Sequence, residues 1–402
     1  MKVLLLTHRI PYPPDKGDKI RSYRLLANLA RNHEVDLVTH ADDPRDLRHR
    51  GELAEMCRSV SVFPLSPLRR YLSAGAALLS GRPLSVAAMT CAAARRRVHD
   101  LITEGRPDLI VGYSAQVADY LPESLPCPVI LDFVDVDSEK WAAYGAEKGI
   151  CRGWLDRLEA RRLADFECRA AARADRVVLT TERERALFLE RVGDYPSLAI
   201  SNGVAFPEEA TFSDDRMPGL MVFVGTMDYL ANVQAAEIGA REVLPRVREK
   251  MPQARFRIVG RNPVARVRKL SSLPGVEVTG AVQDPGSHLR QASLALFPLR
   301  VARGIQNKVL EAMANGVPIV APKEVTACFN PAARGLIAEG SDARELARRA
   351  VSLLGDQDAC DRAAATGRDF VRQHHDWVRI GQEWDRLLEE VSSRVVSVGE
   401  EV

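Results

Sequence analysis

Three polar side chains near residue 310 have the types and spacing that would bind an anion and a diol. The segment RGIQNKVLEAMANGVPIV, residues 303–320, places Asn307, Lys308 and Glu311 among apolar neighbours. Lysine supplies a cation for a phosphate group. A carboxylate accepts two hydrogen bonds at once, which matches the 2′- and 3′-hydroxyls of a ribose. The pattern therefore favours a nucleoside diphosphate as the ligand.

A helix would put these side chains on one polar edge together with Gly304, because residues three, four and seven apart share a face. We expect the free amides and the positive dipole end of this helix to face an anion. Gly304 would allow close backbone approach there, and Arg300 and Arg303 would add cations. The apolar residues would pack elsewhere, on a sheet; they are Val309, Leu310, Met313 and Val317.

An ordinary explanation competes with this one. Lys308 and Glu311 could form a surface ion pair at i,i+3, which would contribute only about 0.2–0.5 kcal/mol. The spacing alone does not decide between a solvated face and a bound ligand.

The length, composition and net charge of the chain exclude several classes of protein. A chain of 402 residues predicts two domains of about 200 residues each. With 46% hydrophobic and 27% charged residues, neither general disorder nor a polytopic membrane protein fits. The net charge of +2 argues against a dedicated nucleic-acid binder.

The seven cysteines are scattered and include no C-x-x-C pair, so they predict neither a disulfide framework nor a zinc site and favour a reducing cytoplasm. The first residues, MKVLLLTH, offer too short an apolar run for a signal peptide and are interpreted as a strand.

Short apolar runs alternate with helical patterns in both halves of the chain, which predicts two doubly wound α/β domains. The predicted divisions are a first domain at 1–203, a linker at 204–219, a second domain at 220–375 and a C-terminal helix at 376–402 that crosses back to the first domain. Ligands of such sheets bind at the carboxyl ends of the strands, so we expect the active site in a cleft between the domains.

Several common motifs are missing from the sequence. There is no G-x-G-x-x-G after a strand, no G-x-x-x-x-G-K-[ST] and no H-E-x-x-H, which disfavours a dinucleotide enzyme, a P-loop NTPase and a zincin. The segment GYSAQ, residues 112–116, falls short of a nucleophile elbow, so Ser114 is interpreted as a residue at a strand end.

The segment KVLEAMANGVPIV resembles the sugar-nucleotide signature of family 4 glycosyltransferases, whose GT-B fold has two Rossmann-like domains facing across a cleft. The segments ISNGV (200–204), VFVGTMDYLANVQA (222–235) and the N-terminal HRIPYPPDKGDKIRSY are similar to further family elements. The resemblance covers nearly the whole chain. It is greatest for sugar transferases associated with bacterial exopolysaccharide gene clusters of the PEP-CTERM/EpsH type.

The resemblance implies a role for each matched position. It puts Glu311 on the ribose, and the turn from Gly304 through Gln306 and Asn307 to Lys308 on the diphosphate. The other implied donor contacts are Gly225 and Thr226 at a phosphate-facing turn, Arg261 and Val282 near the base, and Gly17 on the phosphates from the first domain.

The chain departs from the family pattern at three positions. Arg303 stands where a glutamate is common, and Thr226 and Asn232 stand where an arginine and a lysine are common. We therefore expect the cationic role to have moved to Arg300, Arg303 and Lys308.

The resemblance implies sugar transfer with retention of anomeric configuration. Where the family often has a histidine, at the end of a strand in the first domain, this chain has Val134 followed by Asp135. We expect Asp135 to orient or deprotonate the acceptor, with Asp137 as the second choice. The D-x-D of these residues also permits a metal site, but the architecture disfavours it, so we expect no metal and no cofactor.

The segment at 69–99 contains six arginines and no acidic residue around an apolar middle. It could lie on an anionic membrane surface, or it could be a helical hairpin that packs against its own domain. If it binds a membrane, a lipid-linked saccharide at the cytoplasmic face is the expected acceptor.

The sequence thus predicts a cytoplasmic enzyme that moves a sugar from a nucleotide-diphosphate donor to a saccharide acceptor in exopolysaccharide biosynthesis. If segment 69–99 binds a membrane, the enzyme would work at the inner face of the cytoplasmic membrane. Asp135, Lys308 and Glu311 are the expected catalytic residues. Two alternatives stay open: a nucleotide-sugar epimerase of similar fold, and a catalytically silent partner protein that binds nucleotide sugars.

Overall fold

The structure, a computed structural model, describes residues 1–207, 216–333 and 335–399. It divides into two compact units, of which unit 1 comprises Met1–Ser201 and the chain from Ile380 onward, and unit 2 comprises Asn202–Arg379. Each unit contains one parallel sheet with helices around it. Part of the predicted linker, 208–215, and the chain end at 400–402 lie outside the described residues.

The sheet of unit 1 has seven parallel strands in the order β3-β2-β1-β4-β5-β6-β7. The strands are β1 (Lys2–Thr7), β2 (Glu34–Ala41), β3 (Ser59–Pro64), β4 (Leu109–Tyr113), β5 (Val129–Val134), β6 (Arg176–Leu179) and β7 (Ser197–Ala199). In β1 the consecutive residues Val3 to Leu6 are at most 1% exposed. Both faces of the strand are therefore covered, which explains its continuous apolar sequence.

The helices of unit 1 connect these strands. They are α1 (Gly17–Asn32), α2 (Arg50–Ala54), α3 (Pro67–Ser80), α4 (Leu84–Met89), α5 (Ala92–Thr103), α6 (Asp137–Glu147), α7 (Gly149–Arg152), α8 (Trp154–Ala171) and α9 (Glu182–Arg191), with 3-10 turns at Pro44–His49 and Ala115–Tyr120.

The sheet of unit 2 has six parallel strands in the order β10-β9-β8-β11-β12-β13. The strands are β8 (Met217–Val224), β9 (Arg255–Val259), β10 (Val276–Gly280), β11 (Ala292–Leu296), β12 (Ile319–Ala321) and β13 (Ile337–Glu339).

The helices of unit 2 are α10 (Leu230–Ile238), α11 (Leu244–Arg248), α12 (Ala265–Arg268), α13 (Pro285–Arg290), α14 (Asn307–Ala314), α15 (Lys323–Thr326), α16 (Ala343–Leu354) and α17 (Gln357–His374). A π-helical turn at Gly239–Val243 and 3-10 turns at Lys269–Ser272 and Pro331–Ala333 complete them. The last helix, α18 (Trp377–Gly399), begins in unit 2 and continues in unit 1.

The α/β class with two doubly wound sheets, predicted from the sequence, is confirmed. A π-helical turn interrupts the α-helical hydrogen-bond pattern between α10 and α11. Pro245 lies at the start of α11 and has no N–H to continue the preceding helical bonds. The interruption therefore has a local cause in the sequence.

A buried ion pair connects α1 to the middle of the sheet in unit 1. The Arg21 guanidinium donates to both carboxylate oxygens of Asp132 in β5, at 2.6 and 3.1 Å, and also to the carbonyl of Ser201 at 3.0 Å. Arg21 is 2% exposed and Asp132 is fully buried. Neither charge has access to solvent as an alternative partner, so each depends on the other.

The substitution Arg21→Met should therefore destabilise the protein strongly, because it leaves the Asp132 carboxylate buried without its counter-ion. We expect the free energy of unfolding to fall by roughly 3–5 kcal/mol in denaturant titrations. Arg21→Met/Asp132→Leu should lose less than the single variant. Arg45→Met, which breaks the exposed pair with Asp43, is the control and should change little. A small effect of Arg21→Met would contradict this account.

Candidate active site

Two turns at the carboxyl edge of the unit 2 sheet are in very close contact. Gly260, after β9, has φ of 153°, and a Cβ on it would lie 1.6 Å from the carbonyl oxygen of Gly225, after β8. A Cβ on Gly225 would in turn lie 2.8 Å from Nδ2 of Asn232. Glycine at both positions lets the backbones of the two turns meet.

Hydrogen bonds lock the same two turns together. The Met227 amide donates to the Arg261 carbonyl at 2.8 Å, and the Val264 amide donates to the Met227 carbonyl at 3.2 Å. The Asn262 amide group donates to the Asp228 carboxylate at 3.0 Å. The predicted residues Gly225, Thr226 and Arg261 therefore belong to one fixed double turn.

The third loop of this edge leads from β11 into α14. Gly304 is buried and has φ of 55°, a left-handed conformation that precedes the helix. The prediction that it shares a helical edge with the later polar residues is wrong, because α14 begins only at Asn307. Gln306 is the extended N-cap residue and makes no capping bond; its side chain donates to the Arg303 carbonyl at 2.9 Å. The Val309 and Leu310 amides donate to the Gln306 carbonyl, at 2.9 and 3.2 Å. Among the described residues the amides of Asn307 and Lys308 are thus left for another acceptor.

Lys308 is held in the first turn of α14 by one residue of α10 and one residue of β8. Its ammonium donates to the Asn232 side-chain oxygen and lies 5.5 Å from the ring centroid of Phe223. Burial lowers the pKa of Lys308 to about 8, and the Glu311 charge acts in the opposite direction. Asn232 also donates to the Thr226 carbonyl at 2.9 Å. It therefore connects the lysine to the double turn.

Glu311 lies one turn further along α14 and is half-buried. Burial raises the pKa of its carboxyl to about 7, against the effect of the Lys308 charge. Within the described part of the chain the two residues form no ion pair, because the Lys308 ammonium is directed to Asn232. The simple surface pair that the spacing also permitted is therefore not what this structure has.

Two further cations lie in the loop before α14. Arg300 is exposed and Arg303 is half-buried, and neither forms an ion pair with a carboxylate of the residues that the structure describes. They are available to an anionic ligand. Val282, in the loop after β10, is partly buried and packs against the core of unit 2.

Sequence reasoning did not identify two asparagines that fix these groups. Asn232 was recognised only as a departure from the family pattern. The Asn202 side chain donates to the Asn307 side-chain oxygen at 2.8 Å, and the Asn202 backbone carbonyl accepts from Nδ1 of His375 at 2.9 Å. The available signal was that asparagine is a poor residue for the interior of a helix, yet Asn232 stands within α10.

Unit 1 has its own polar edge at the carboxyl ends of its strands. Gly17 is exposed and begins α1, after β1. The next residue, Asp18, pairs with Arg9 and lies 3.7 Å from the His8 ring. Burial opposes the charge of Asp18, but the His8 hydrogen bond and the Arg9 charge hold its pKa well below the usual range.

Asp135 follows β5 directly after Val134, whose φ of 70° is unusual for a β-branched residue. The Asp135 carboxylate accepts a hydrogen bond from the Thr180 hydroxyl at 3.0 Å. Burial raises its pKa to about 7, and the Glu184 charge adds to the rise. A carboxyl group with this pKa can accept a proton near neutral pH.

Asp137 is directed elsewhere, and its carboxylate lies 3.7 Å from the Lys140 ammonium. No group of three or more His, Cys, Asp or Glu side chains in the described residues could hold a metal ion. The expected absence of a metal stays a prediction.

Two family models match consecutive parts of the chain. Residues 19–203 match the model described as glycosyl transferase 4-like domain, and residues 218–356 match the model described as glycosyl transferases group 1. The chain is a glycosyltransferase. The resemblance to family 4 is thereby confirmed, and no curated protein sequence is similar enough to count as a match.

Solved structures support the GT-B fold of this glycosyltransferase. Sucrose-phosphate synthase from Thermosynechococcus elongatus has a TM-score of 0.72 at 18% identity, over 98% of this chain and 100% of that one. HepE from Anabaena in complex with UDP has a TM-score of 0.66 at 15% identity, over 97% and 100%. WaaG, a glycosyltransferase involved in lipopolysaccharide biosynthesis, has a TM-score of 0.63 at 17% identity, over 95% and 98%.

Over the described residues, every helix is either too short or too polar to cross a bilayer.

Gly260 provides a test of the double turn. Gly260→Ala should lower the free energy of unfolding by roughly 2–4 kcal/mol, since the methyl group would overlap the Gly225 carbonyl. Gly280→Ala is the matched control: φ there is 73°, but nothing lies within 4 Å of a Cβ, so only about 1–2 kcal/mol of backbone strain is expected. Denaturant titration of both variants measures the difference, and equal losses would contradict the close contact.

Proposed function

We propose that this glycosyltransferase uses a nucleoside diphosphate sugar as its donor, with the diphosphate at the start of α14 and the ribose at Glu311. The observation that carries the proposal is the fixed position of Lys308. Its ammonium is held by Asn232 beside helix amides that have no side-chain cap. Such a helix start binds an anion without further ordering.

The charges around this helix start suit a diphosphate. Arg300, Arg303 and Lys308 supply three cations, and the amino end of α14 adds a partial positive charge. Asn307, held by Asn202, is a further polar contact in the same turn. The proposed cationic role of these residues explains how the chain can lack the arginine and the lysine that are common in the family at positions 226 and 232.

The rest of the donor would extend over the double turn. In the proposal Glu311 accepts hydrogen bonds from the two ribose hydroxyls. Gly225 and Thr226 face the phosphates, and Arg261 and Val282 border the base. Gly17 would contact the phosphates from unit 1. The HepE structures from Anabaena with UDP and with UDP-glucose support a donor of this class.

The proposed reaction breaks the bond between the anomeric carbon and the diphosphate oxygen and forms a new bond to an acceptor hydroxyl oxygen, with retention of configuration. Negative charge develops on the leaving diphosphate, and the fixed cations and amides stabilise it. On unit 1, Asp135 would orient the acceptor hydroxyl and receive its proton. No metal is required by this scheme.

The proposed acceptor is a saccharide of exopolysaccharide biosynthesis, carried on a lipid at the inner face of the cytoplasmic membrane. Two observations support it: the resemblance of the chain to sugar transferases of exopolysaccharide gene clusters, and the arginine-rich segment 69–99, which we propose as the peripheral membrane contact.

A screen of nucleotide sugars tests the donor. A cognate donor at about 100 times its Kd should stabilise the protein by about 2.7 kcal/mol in thermal unfolding. Product analysis with and without saccharide acceptors then separates the possibilities. Acceptor-dependent glycoside formation supports transfer, an isomerised nucleotide sugar without acceptor indicates an epimerase, and donor binding without turnover indicates a silent partner protein.

Donor affinity should depend on pH with a maximum between about 7 and about 8. Below about 7, the raised pKa of Glu311 leaves its carboxyl protonated, which weakens its hydrogen bonds to the ribose. Above about 8, the lowered pKa of Lys308 removes its charge. Isothermal titration calorimetry across pH should show Glu311→Gln losing the acid limb and Lys308→Met losing the alkaline limb.

Lys308→Met should also weaken donor binding roughly tenfold to a hundredfold, because it removes a charge-assisted contact. Lys250→Met, at an exposed position, is the matched control. Unchanged affinity of Lys308→Met would refute the proposed diphosphate contact.

Asp135→Asn tests the acceptor side. Removal of a general base should lower kcat by about a hundredfold or more, while the Kd for the donor stays the same. In the unsubstituted protein kcat should rise with pH through about 7, the pKa of Asp135, and the variant should lose this rise. Asp137→Asn is the neighbouring control; if it has the larger effect, Asp137 and not Asp135 is the base.

A further inference from the structure

Helix α3 exposes the side of the helix that would normally be buried. Its leucines Leu68, Leu72 and Leu79 are 69%, 66% and 94% exposed, and Tyr71 is 78% exposed. Ala77 is the only buried residue of the fourteen in this helix. The apolar residues of α3 therefore contribute almost nothing to the core of unit 1.

The exposed leucines form one face. Leu68, Leu72 and Leu79 are four and seven residues apart, a spacing that puts them on one stripe of a helix. Ala77 lies on the opposite side, because it is nine residues from Leu68 and each residue turns the helix by about 100°. The helix thus packs through its small alanine side and presents its large apolar side outward.

Helix α8 holds α3 and the following helix in this orientation. The Arg162 guanidinium donates to the carbonyls of Ala77 and Leu78 near the end of α3, at 2.9 and 3.0 Å. Glu159 accepts from the amides of Leu84 and Ser85 at the start of α4, at 2.7 and 2.8 Å. Two charged residues on neighbouring turns of α8 therefore fix both sides of the α3–α4 connection.

The rest of the arginine-rich segment behaves differently. Helices α4 and α5 bury their apolar residues in unit 1, which are Val86, Ala87, Met89, Ala94, Val98, Leu101 and Ile102. Only α3 leaves a continuous apolar surface. The membrane interpretation of segment 69–99 thus concerns α3, and packing against the chain's own domain describes α4 and α5.

Charge and area indicate what covers this face. Arg69 is exposed beside the leucines, and residues 65–99 contain no acidic side chain. The outward side of a helix of this length offers roughly 200 Å², whereas a stable protein partner covers about 800 Å² on each side. A small apolar stripe flanked by Arg69 suits insertion into an anionic lipid surface.

We propose that the outward face of α3 inserts its leucines among the acyl chains of an anionic membrane, with Arg69 at the lipid phosphates. This deepens the proposed function, on which it rests for the membrane-carried acceptor. It assigns the contact to apolar insertion by one helix and not to the charge of the whole arginine-rich segment.

Vesicle flotation of the full chain tests the proposal. The protein should bind vesicles of phosphatidylglycerol and phosphatidylcholine and should keep part of this binding at high salt. Leu68→Ser/Leu72→Ser/Leu79→Ser should lower the partition coefficient by roughly tenfold per leucine. Arg69→Gln should lower it by about fivefold, and only at low salt.

Leu47→Ser/Val378→Ser is the matched control, since both residues are exposed outside α3, and it should bind like the unsubstituted protein. The proposal is overturned if the triple serine variant binds vesicles unchanged, if the unsubstituted chain binds none, or if it is a dimer in solution that the triple variant dissociates. Transfer to a water-soluble acceptor should be equal in all variants; its loss throughout would count against the proposed function instead.

Discussion

The close contact between Gly225 and Gly260 is the constraint on which the geometry of unit 2 depends. With no side chain on either glycine, the two turns meet through their backbones, and a Cβ on Gly260 would have only 1.6 Å to the facing oxygen. Asn232 fits against Gly225 and binds the Thr226 carbonyl on one side and the Lys308 ammonium on the other. The position of the lysine thus follows from the packing of two glycines.

This arrangement holds the Lys308 ammonium and the Glu311 carboxyl on successive turns of α14, both partly buried, without an ion pair between them. Burial lowers the pKa of Lys308 to about 8 and raises that of Glu311 to about 7. Burial disfavours the charged form of each group, and a ligand that supplies a diphosphate and a diol would compensate both. The shifts fit the proposed donor, which would present an anion to Lys308 and hydrogen-bond donors to Glu311.

The sequence was sufficient for the sheets and insufficient for the loops that carry the site. Parallel strands buried on both faces have continuous apolar sequences and could be recognised from them. Strands β7 and β13 lack such a run, because no residue of β7 and only one residue of β13 is fully buried. The helical edge was wrong at Gly304 because apolar periodicity carries no information on the sign of φ. The structural role of Asn232 was not predicted, because it arises from contacts between separate segments of the chain.

Helix α3 is a second place where the sequence pattern alone does not predict the structure. Apolar residues at helical spacing ordinarily predict burial, since folding gains from removing them from water. In α3 this gain is not realised within unit 1, and an isolated helix of such length would be marginal in water. The capping by Ser66 and the bonds from Arg162 supply stability that packing does not. A helix stabilised at its ends and apolar on its outer face is one whose burial is completed by something other than its own chain.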